Sequence, residues 1–288
     1  MTQVVHTRSG LADLSAVEGP TAVVMTMGAL HEGHAVLVRE ARRIAGPRGR
    51  VTVTDFVNPR QFGAGEDFDR YPRTLEADVA LCEEAGADIV FAPDVDEVYP
   101  PEGSPAAAIA VDPGPLGSQL EGASRPGHFA GMLTVVGKLL HVTRPDAALF
   151  GEKDYQQLVL VRAMVRALDF GVEIVGVPTV READGLAMSS RNRYLSAEAR
   201  VLAAAIPAAL RLGEEAAPRG AQEVEHAVRR SLEDVAASSP VPMRVDYVAV
   251  RSVDLGDPAP GSEGRLLVAV LVDGTRLIDN VAVRLGGP

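Results

Sequence analysis

Short apolar segments alternate with helical patterns through the first 178 residues of this 288-residue chain. Residues 21–26 (TAVVMT) are typical of a buried strand, and residues 31–45 predict a helix that buries Ala35, Val38 and Ala41 along one face with Ala45. Further strands are predicted at residues 50–57, 88–92, 147–150 and 172–177, and further helices at 75–85, 129–142 and 153–168. This alternation predicts an α/β fold with a parallel sheet and helices on both faces.

The pattern changes after about residue 178. An alanine-rich helix is predicted at residues 196–215 and a second helix at 221–236, and strands follow at 244–250, 265–272 and 276–283. Helices followed by consecutive strands favour a small α+β domain with an antiparallel sheet. We therefore predict two domains, a Rossmann-like domain over residues 1–178 and a C-terminal α+β domain over residues 179–288.

Composition excludes several classes of protein. A chain with 47% hydrophobic and 23% charged residues is not disordered, and a single cysteine, Cys82, excludes an internal disulfide or a cysteine-based zinc cluster. No run reaches the roughly 18 apolar residues of a membrane span, and the first 20 residues lack the apolar core of a signal peptide. We therefore expect a soluble, cytoplasmic protein. The net charge of −11 argues against a nucleic-acid partner.

Two histidines open the first long predicted helix, within the segment Met25–His34. Gly28 and Gly33 allow a ligand to approach the backbone, and His31 and His34 share one helix face. Helix N-termini bind phosphate, and two imidazoles there can donate hydrogen bonds to it. Two alternatives remain open: a metal site, for which two histidines are too few ligands, and a pair that caps the helix without a catalytic role.

Lysine is rare in this chain, which has 26 arginines and only two lysines, Lys138 and Lys153. Lysine is a compact point charge that arginine does not replace. Lys153 follows a predicted strand in the sequence GEKD, where a cation can meet phosphate oxygens. Lys138 lies in an apolar helical stretch, where a function and chance survival are equally compatible with the sequence.

Five further segments reduce the number of protein families that the chain could belong to. They are residues 56–62 (FVNPRQF), 66–73 (EDFDRYPR), 125–129 (RPGHF), 150–157 (FGEKDYQQ) and 184–192 (DGLAMSSRN). The H-x-G-H sequence opening a helix resembles the nucleotidyltransferase superfamily and class I aminoacyl-tRNA synthetases. Together with the five segments, in this order, the chain resembles the pantoate–β-alanine ligase (pantothenate synthetase) family. The C-terminal part matches more weakly, at residues 245–247 (VDY) and 276–280 (RLIDN), and Met25 replaces the family's usual proline without removing a catalytic group.

The resemblance implies a two-step reaction. ATP and pantoate form pantoyl adenylate and pyrophosphate, and β-alanine then displaces AMP to give pantothenate. The Rossmann-like domain would bind the nucleotide and pantoate, and the C-terminal domain would act as a lid. Mg²⁺ is expected to arrive with ATP, because no dedicated carboxylate cage is visible; Asp78 is the one carboxylate that could lie near it. A homodimer is also expected.

The resemblance also assigns roles to individual residues. The implied catalytic residues are His31, His34, Lys153 and Arg191. The implied ATP-binding residues are Met27, Gly28, His31, Gly33, His34, Gly151, Glu152, Lys153, Asp154, Val180, Met188, Ser189, Ser190 and Arg191. The implied pantoate-binding residues are Gln61, Gln157 and Asn58, and those for β-alanine are Gln61, Arg125 and His128. Asn58 and Asp154 are expected to orient the site.

Glutamine suits the binding of a carboxylate that must react. Its amide can donate to and accept from hydroxyls, and it bonds a carboxylate without a formal charge, whereas a bidentate arginine would weaken the carboxylate as a nucleophile. Two other functions remain open: a simple nucleotidyltransferase that leaves the nucleotide on its acceptor, and a nucleotide-binding module without catalysis. Release of free AMP separates the ligase from both. The motifs G-x-x-x-x-G-K-[ST] and G-x-G-x-x-G are absent, which argues against P-loop and dinucleotide enzymes.

Overall fold

The structure, a computed structural model, describes residues 1–14, 17–63, 65–66 and 68–287. Asp67, the second residue of the segment 66–73, lies outside the described residues. The chain forms two compact units: unit 1 comprises Met1–Glu152 and Gln156–Pro178, and unit 2 comprises Lys153–Tyr155 and Thr179–Pro288. None of the helices in the described part of the chain has the length and apolar content that a membrane span requires.

Unit 1 is built on a sheet of six parallel strands. The strands are β1 (Gln3–Val5), β2 (Thr21–Thr26), β3 (Arg50–Asp55), β4 (Ile89–Phe91), β5 (Ala147–Gly151) and β6 (Glu173–Val177). Their order across the sheet is β1-β4-β3-β2-β5-β6, and every pairing is parallel. The helices connecting them are α1 (Arg8–Asp13), α2 (Glu32–Ala45), α3 (Leu75–Ala85), α4 (Val95–Val98), α5 (Glu121–Ser124), α6 (His128–Thr143) and α7 (Tyr155–Ala167).

Hydrophobic residues cover both faces of this sheet, because successive side chains of a strand point to opposite sides. Val23 and Ala148 pack on one side in a core shared with α1, α6 and α7. Ala22, Val24 and Leu149 pack on the other side with α2 and α3. The predicted parallel sheet with helices on both faces is therefore confirmed.

Unit 2 carries an antiparallel sheet and three helices. The helices are α8 (Ala197–Ala203), α9 (Ala205–Ala216) and α10 (Ala221–Ser238), and the strands are β7 (Met243–Ser252), β8 (Glu263–Val272) and β9 (Thr275–Arg284). The strands pair in the order β7-β8-β9. Asp273 and Gly274 join β8 to β9, and both have a positive φ (48° and 76°), which is the conformation that a two-residue hairpin turn requires. The predicted antiparallel sheet is confirmed.

Two local predictions differ from the structure, and several short elements were not predicted. The helix predicted at residues 196–215 is two helices that meet at Ala204. Pro207 explains the break, because a proline ring has no N–H and clashes with the carbonyl four residues earlier, at Ala203. The helix predicted from Lys153 begins at Tyr155 after a 3₁₀ turn at Glu152–Asp154. The sequence also missed β1, α1, α4 and α5, which are too short to show a period.

Candidate active site

The carboxyl ends of four parallel strands meet at one edge of the unit 1 sheet. Thr26 at the end of β2 lies opposite Asp55 at the end of β3, and Gly151 at the end of β5 lies opposite Val177 of β6. Strand β2 lies between β3 and β5. After β2 the chain adds β3 on one side of this strand, and it later adds β5 on the strand's other side. α/β sheets bind ligands beyond the carboxyl ends of the strands where the strand order reverses in this way.

His31 and His34 cap helix α2 reciprocally. The Gly33 N–H donates to Nδ1 of His31 (3.1 Å), and the His31 N–H donates to Nδ1 of His34 (3.3 Å). The two rings lie with their centroids 4.1 Å apart. Because each Nδ1 accepts a hydrogen bond, the proton of each neutral imidazole is on Nε2. The caps therefore make both Nε2 atoms donors beside the N-terminus of a 14-residue helix.

Asp78 of helix α3 holds the turn between β2 and α2 through hydrogen bonds to its main chain. The main-chain N–H groups of Ala29 and Leu30 donate to its two carboxylate oxygens (2.9 and 2.7 Å), and the Thr74 hydroxyl donates to both. The Asp78 side chain is 1% exposed. In the structure this carboxylate orders the turn. Among the described residues no group of three or more His, Cys, Asp or Glu side chains could hold a metal ion.

Gly28 lets this turn pass over Asp55. Its φ is +78°, and a Cβ atom at this position would lie 2.6 Å from Oδ1 of Asp55. Burial, followed by the neighbouring Asp78, raises the pKa of Asp55 to about 7. A side chain at residue 28 would thus be strained and would collide with the half-buried carboxyl group of Asp55.

Asn58 fixes the orientation of the Gln61 amide. The Arg60 N–H and the Tyr99 hydroxyl donate to Oδ1 of Asn58 (3.2 and 2.7 Å), and Nδ2 of Asn58 donates to the Gly131 carbonyl (3.2 Å). The second Nδ2 hydrogen of Asn58 donates to Oε1 of Gln61 (2.9 Å). The Gln61 amide oxygen is therefore the acceptor, and its Nε2 donors have no partner among the described residues. Asn58 is fully buried with its hydrogen-bonding capacity used, so it acts as the orienting residue that the sequence also predicts.

Helix α6 packs directly on the turn that carries Gln61. A Cβ atom on Gly131 would lie 1.9 Å from the Arg60 carbonyl oxygen, whereas a Cβ on Gly137 of the same helix would meet Phe170 at an ordinary 3.5 Å. We therefore expect Gly131→Ala to lower the free energy of unfolding by about 1–3 kcal/mol through overpacking.

The matched variant Gly137→Ala should be neutral or stabilising, because alanine is favoured over glycine in a helix by about 1 kcal/mol. Thermal unfolding of both variants checks this pair. Equal stability of the two proteins would show that α6 does not press on the turn at Gly131.

Arg125 and His128 bond to the main chain of Gln61. Nδ1 of His128 lies 2.8 Å from the Gln61 carbonyl oxygen, and a guanidinium nitrogen of Arg125 donates to the same oxygen (3.2 Å). Because a carbonyl only accepts, His128 carries its proton on Nδ1, and its Nε2 accepts from Arg125 (3.2 Å). Burial, followed by the charge of Arg125, lowers the pKa of His128 to about 4, so this ring is neutral near pH 7.

Glu66 pairs with Arg125 through two hydrogen bonds of 2.8 and 2.7 Å. This partner holds the pKa of Glu66 below its usual value. A β-alanine carboxylate that bonds Arg125 would share the guanidinium with Glu66. In the structure Arg125, His128 and Glu66 form one cluster that fixes the backbone of Gln61.

Adjacent glutamines at the start of α7 have different environments. The Gln156 amide donates to the carbonyls of Leu116 and Gln119 (2.8 and 2.9 Å) and accepts from the Glu121 N–H (3.1 Å). Gln157 is half-buried, and its amide has no hydrogen-bond partner within the described ranges. Gln156 thus orders the loop before α5, and Gln157 keeps an amide available to a ligand.

Unit 2 holds the other predicted ATP-binding residues. Lys153 lies in the 3₁₀ turn, with Nζ 3.4 Å from a carboxylate oxygen of Asp154. Residues 180–188 form a hairpin in which the Met188 N–H donates to the Val180 carbonyl (2.9 Å).

The Met188–Arg191 segment continues from this hairpin into a 3₁₀ turn. The Arg191 N–H donates to the Ser189 hydroxyl (3.3 Å), which caps the turn Ser190–Tyr194. These bonds place the hydroxyls of Ser189 and Ser190 and the guanidinium of Arg191 on one short turn.

The predicted site residues thus fall into two groups, one in each unit. Unit 1 holds the following: Met27, Gly28, His31, Gly33, His34, Asn58, Gln61, Arg125, His128, Gly151, Glu152 and Gln157. Unit 2 holds the following: Lys153, Asp154, Val180, Met188, Ser189, Ser190 and Arg191. The sequence missed Tyr99 and Asp55 as supporting residues. Asp55 lies inside the strand predicted at residues 50–57 and is the last residue of β3, so the predicted bounds hid its position at the strand end. Nothing in the sequence singles out Tyr99.

Comparison with known proteins matches the chain to one family of ligases. A family model described as pantoate-beta-alanine ligase matches residues 1–282. A pantothenate synthetase of Salinispora arenicola is 55% identical over 286 residues and covers 99% of both chains. A pantothenate synthetase of Streptomyces coelicolor is 54% identical over 314 residues, which cover 93% of this chain and 92% of the relative.

Solved structures agree with this match. The pantothenate synthetase of Thermus thermophilus superposes with a TM-score of 0.85 at 47% identity and covers 97% of this chain and 99% of its own. The pantoate-beta-alanine ligase of Francisella tularensis, solved in complex with beta-gamma ATP and beta-alanine, has a TM-score of 0.79 at 29% identity. That superposition covers 98% of this chain and 97% of the other.

Proposed function

Because this chain belongs to the pantoate–β-alanine ligase family, we propose that it joins pantoate to β-alanine through a pantoyl-adenylate intermediate. In the first step the pantoate carboxylate attacks the α-phosphorus of ATP, and pyrophosphate leaves. In the second step the β-alanine amine attacks the acyl carbon, AMP leaves with the bond electrons, and the amine loses a proton. The products are AMP, pyrophosphate and pantothenate.

The reciprocal histidine cap is the observation that carries this proposal. It makes Nε2 of both His31 and His34 donors next to a helix N-terminus, where charge on a reacting phosphate is stabilised. Lys153 and Arg191 add positive charge for the pyrophosphate that leaves. We propose that the remaining predicted ATP-binding residues hold the nucleotide, and that the C-terminal domain acts as a lid.

Two neutral amides support the choice of pantoate as the nucleophile. Gln61 has its Nε2 donors unused among the described residues, and the Gln157 amide has no partner there. Both can bond pantoate without pairing its carboxylate to a cation, which leaves that carboxylate nucleophilic. We propose that Asn58 contributes by orienting Gln61. We also propose that Gln61, Arg125 and His128 bind the β-alanine carboxylate, with Arg125 and His128 also fixing the main chain of Gln61.

Mg²⁺ is proposed to enter with ATP. The Asp78 carboxylate bonds the turn at Ala29 and Leu30, and within the described ranges no group of three or more His, Cys, Asp or Glu side chains could hold a metal ion. Mg²⁺ bound to phosphate oxygens needs few protein ligands, and when bound it neutralises their charge. We also propose that the protein is a homodimer, and this proposal rests only on its family membership.

Product analysis tests the proposed function. The protein is incubated with ATP, Mg²⁺, pantoate and β-alanine, and AMP and pantothenate are both measured. We expect the two to appear in equal amounts. A simple nucleotidyltransferase would leave the nucleotide on its acceptor without free AMP, and a module that only binds nucleotide would give no product.

Gln157→Glu tests the role of the neutral amide. This change keeps the size of the side chain and puts an anion beside an anionic substrate. Two unit charges about 4 Å apart repel by about 4 kcal/mol at an effective dielectric constant near 20, and protonation of the new carboxyl relieves part of this. We expect pantoate to bind about 5- to 150-fold more weakly, a loss of about 1–3 kcal/mol, with little change in ATP affinity.

Gln157→Met is the matched control, because it removes the hydrogen bond without adding charge. It should cost about 1 kcal/mol, and lower pH should restore pantoate binding to the Glu variant but not to the Met variant. Equilibrium titration of each ligand decides the matter. Unchanged pantoate affinity in the Glu variant, or an equal loss of ATP affinity, would remove Gln157 from the pantoate site.

A further inference from the structure

Two adjacent polar residues of strand β9 are almost fully buried. Asp279 is 2% exposed and Asn280 is 3% exposed. They end the segment 276–280, which the proposed function leaves without a role. Buried polar side chains are costly unless they are hydrogen-bonded, so their partners indicate what these two residues hold in place.

Asn280 bonds the main chain of Lys153. Its Nδ2 donates to the Lys153 carbonyl (2.9 Å), and its Oδ1 accepts from Nε of Arg265 (2.5 Å). The orientation of this amide is fixed, because a carbonyl only accepts and a guanidinium only donates. The Arg265 guanidinium also lies 4.2 Å from the centre of the Tyr155 ring, and the Tyr155 hydroxyl donates to the Val253 carbonyl (3.0 Å). The segment 153–155 is thereby tied to the antiparallel sheet.

Asp279 holds the hairpin at residues 180–188. Its carboxylate accepts two hydrogen bonds from the Arg181 guanidinium (2.7 and 3.0 Å), which also donates to the Gly185 carbonyl (2.9 Å) and to the carbonyl of Asn280 (3.3 Å). Arg181 pairs with Ala187 across the hairpin. The bidentate ion pair thus fixes the segment that begins at Val180 and ends at Met188.

We propose that Asp279 and Asn280 are positioning residues for the adenylation of pantoate. The hydrogen bond from Asn280 fixes the position of the Lys153 main chain, from which the lysine side chain reaches its phosphate. The ion pair of Asp279 with Arg181 fixes the hairpin at residues 180–188. One strand therefore aligns two ATP-binding segments of unit 2. The inference rests on the proposed function, since it takes Lys153 as the cation that meets the reacting phosphates.

Asn280→Asp tests the bond to Lys153 selectively. The new side chain has the same shape and still accepts from Arg265, but an oxygen replaces the donor that faces the Lys153 carbonyl. We expect kcat of pantoate-dependent pyrophosphate–ATP exchange to fall about 10- to 100-fold, because a small misplacement of a catalytic group has effects of this size. The KM for pantoate should change less than about threefold, because the proposed pantoate contacts belong to unit 1.

A double-mutant cycle separates positioning from general stability. If Asn280 acts through Lys153, then Asn280→Asp should cost less than about threefold in a Lys153→Ala background. A purely structural role would reduce activity by the same factor in both backgrounds. Should the buried carboxylate prevent folding, Asn280→Ala replaces it in the same cycle with the same expectations.

Asp246→Asn provides a matched control in the same sheet. Asp246 accepts two hydrogen bonds from Arg276 (3.1 and 2.7 Å), so its replacement weakens an ion pair of this sheet that is separate from the bonds of Asn280 to Lys153 and Arg265. Exchange in this variant should stay within about threefold of the wild type. The inference alone would be overturned if Asn280→Asp exchanged at the wild-type rate or if Asp246→Asn lost as much activity as Asn280→Asp. It would also be overturned if the effects of Asn280→Asp and Lys153→Ala simply multiplied in the double mutant. Absence of exchange in the wild-type protein would contradict the proposed function and the inference with it.

Discussion

Replacing Lys153 by alanine is expected to slow the adenylation of pantoate about 10²- to 10³-fold. The charge on pyrophosphate grows as it leaves, and a positioned donor or cation in such a site contributes about 2.7–4 kcal/mol to the transition state. The Lys153 carbonyl accepts a hydrogen bond from Asn280, so the main chain that carries the ammonium group is held in place. Single-turnover measurement of pyrophosphate release in the presence of ATP and pantoate gives this rate without the second step.

Lys138→Ala is the control, since Lys138 is the other lysine in the sequence. It lies on helix α6, with Nζ 5.9 Å from the centre of the Tyr99 ring. Its loss should change the rate by less than about threefold. A near-normal rate in Lys153→Ala, or an equal loss in Lys138→Ala, would show that the phosphates lie elsewhere.

Replacing His34 should have an effect of the same size, about 10²–10³ in the adenylation rate. Two variants separate its two roles. His34→Ala removes both the Nδ1 acceptor that caps the His31 N–H and the Nε2 donor. His34→Asn keeps an oxygen near the position of Nδ1 and loses only the donor.

We therefore expect both His34 variants to lose adenylation. Only His34→Ala should also lose about 1 kcal/mol of stability through the missing cap. Stopped-assay rates and thermal unfolding, measured on the same preparations, check the pair. If His34→Asn kept most of the wild-type rate, the histidine would serve as a helix cap and not as a phosphate donor.

The fold was largely predictable because its signals are local. Strand β2 and helix α3 have the predicted bounds, and α2 buries the four predicted residues Ala35, Val38, Ala41 and Ala45. Both kinds of sheet follow from the order of strands and helices along the chain. The missed elements are too short to show a period, and the missed break at Ala204 is a place where a single residue, Pro207, overrides the period of the helix predicted at 196–215.

The site residues could be proposed from sequence, whereas their bonding could not. The orientation of the Gln61 amide depends on a carbonyl at Gly131, 73 residues after Asn58. The partner of Arg125 is Glu66, 59 residues away in the chain. No period or motif spacing encodes such contacts, because they arise only once α6 packs on the loop after β3. The short motif at residues 276–280 was visible in the sequence, but its bond to Lys153 was not.

The central claim is that pantoate is adenylated before the amine arrives, and isotope exchange tests it most directly. The protein is incubated with ATP, Mg²⁺, pantoate and labelled pyrophosphate, with no β-alanine, and label entering ATP is measured. Reversible formation of the adenylate predicts rapid exchange that depends on pantoate. Exchange that strictly requires β-alanine would contradict the two-step reaction.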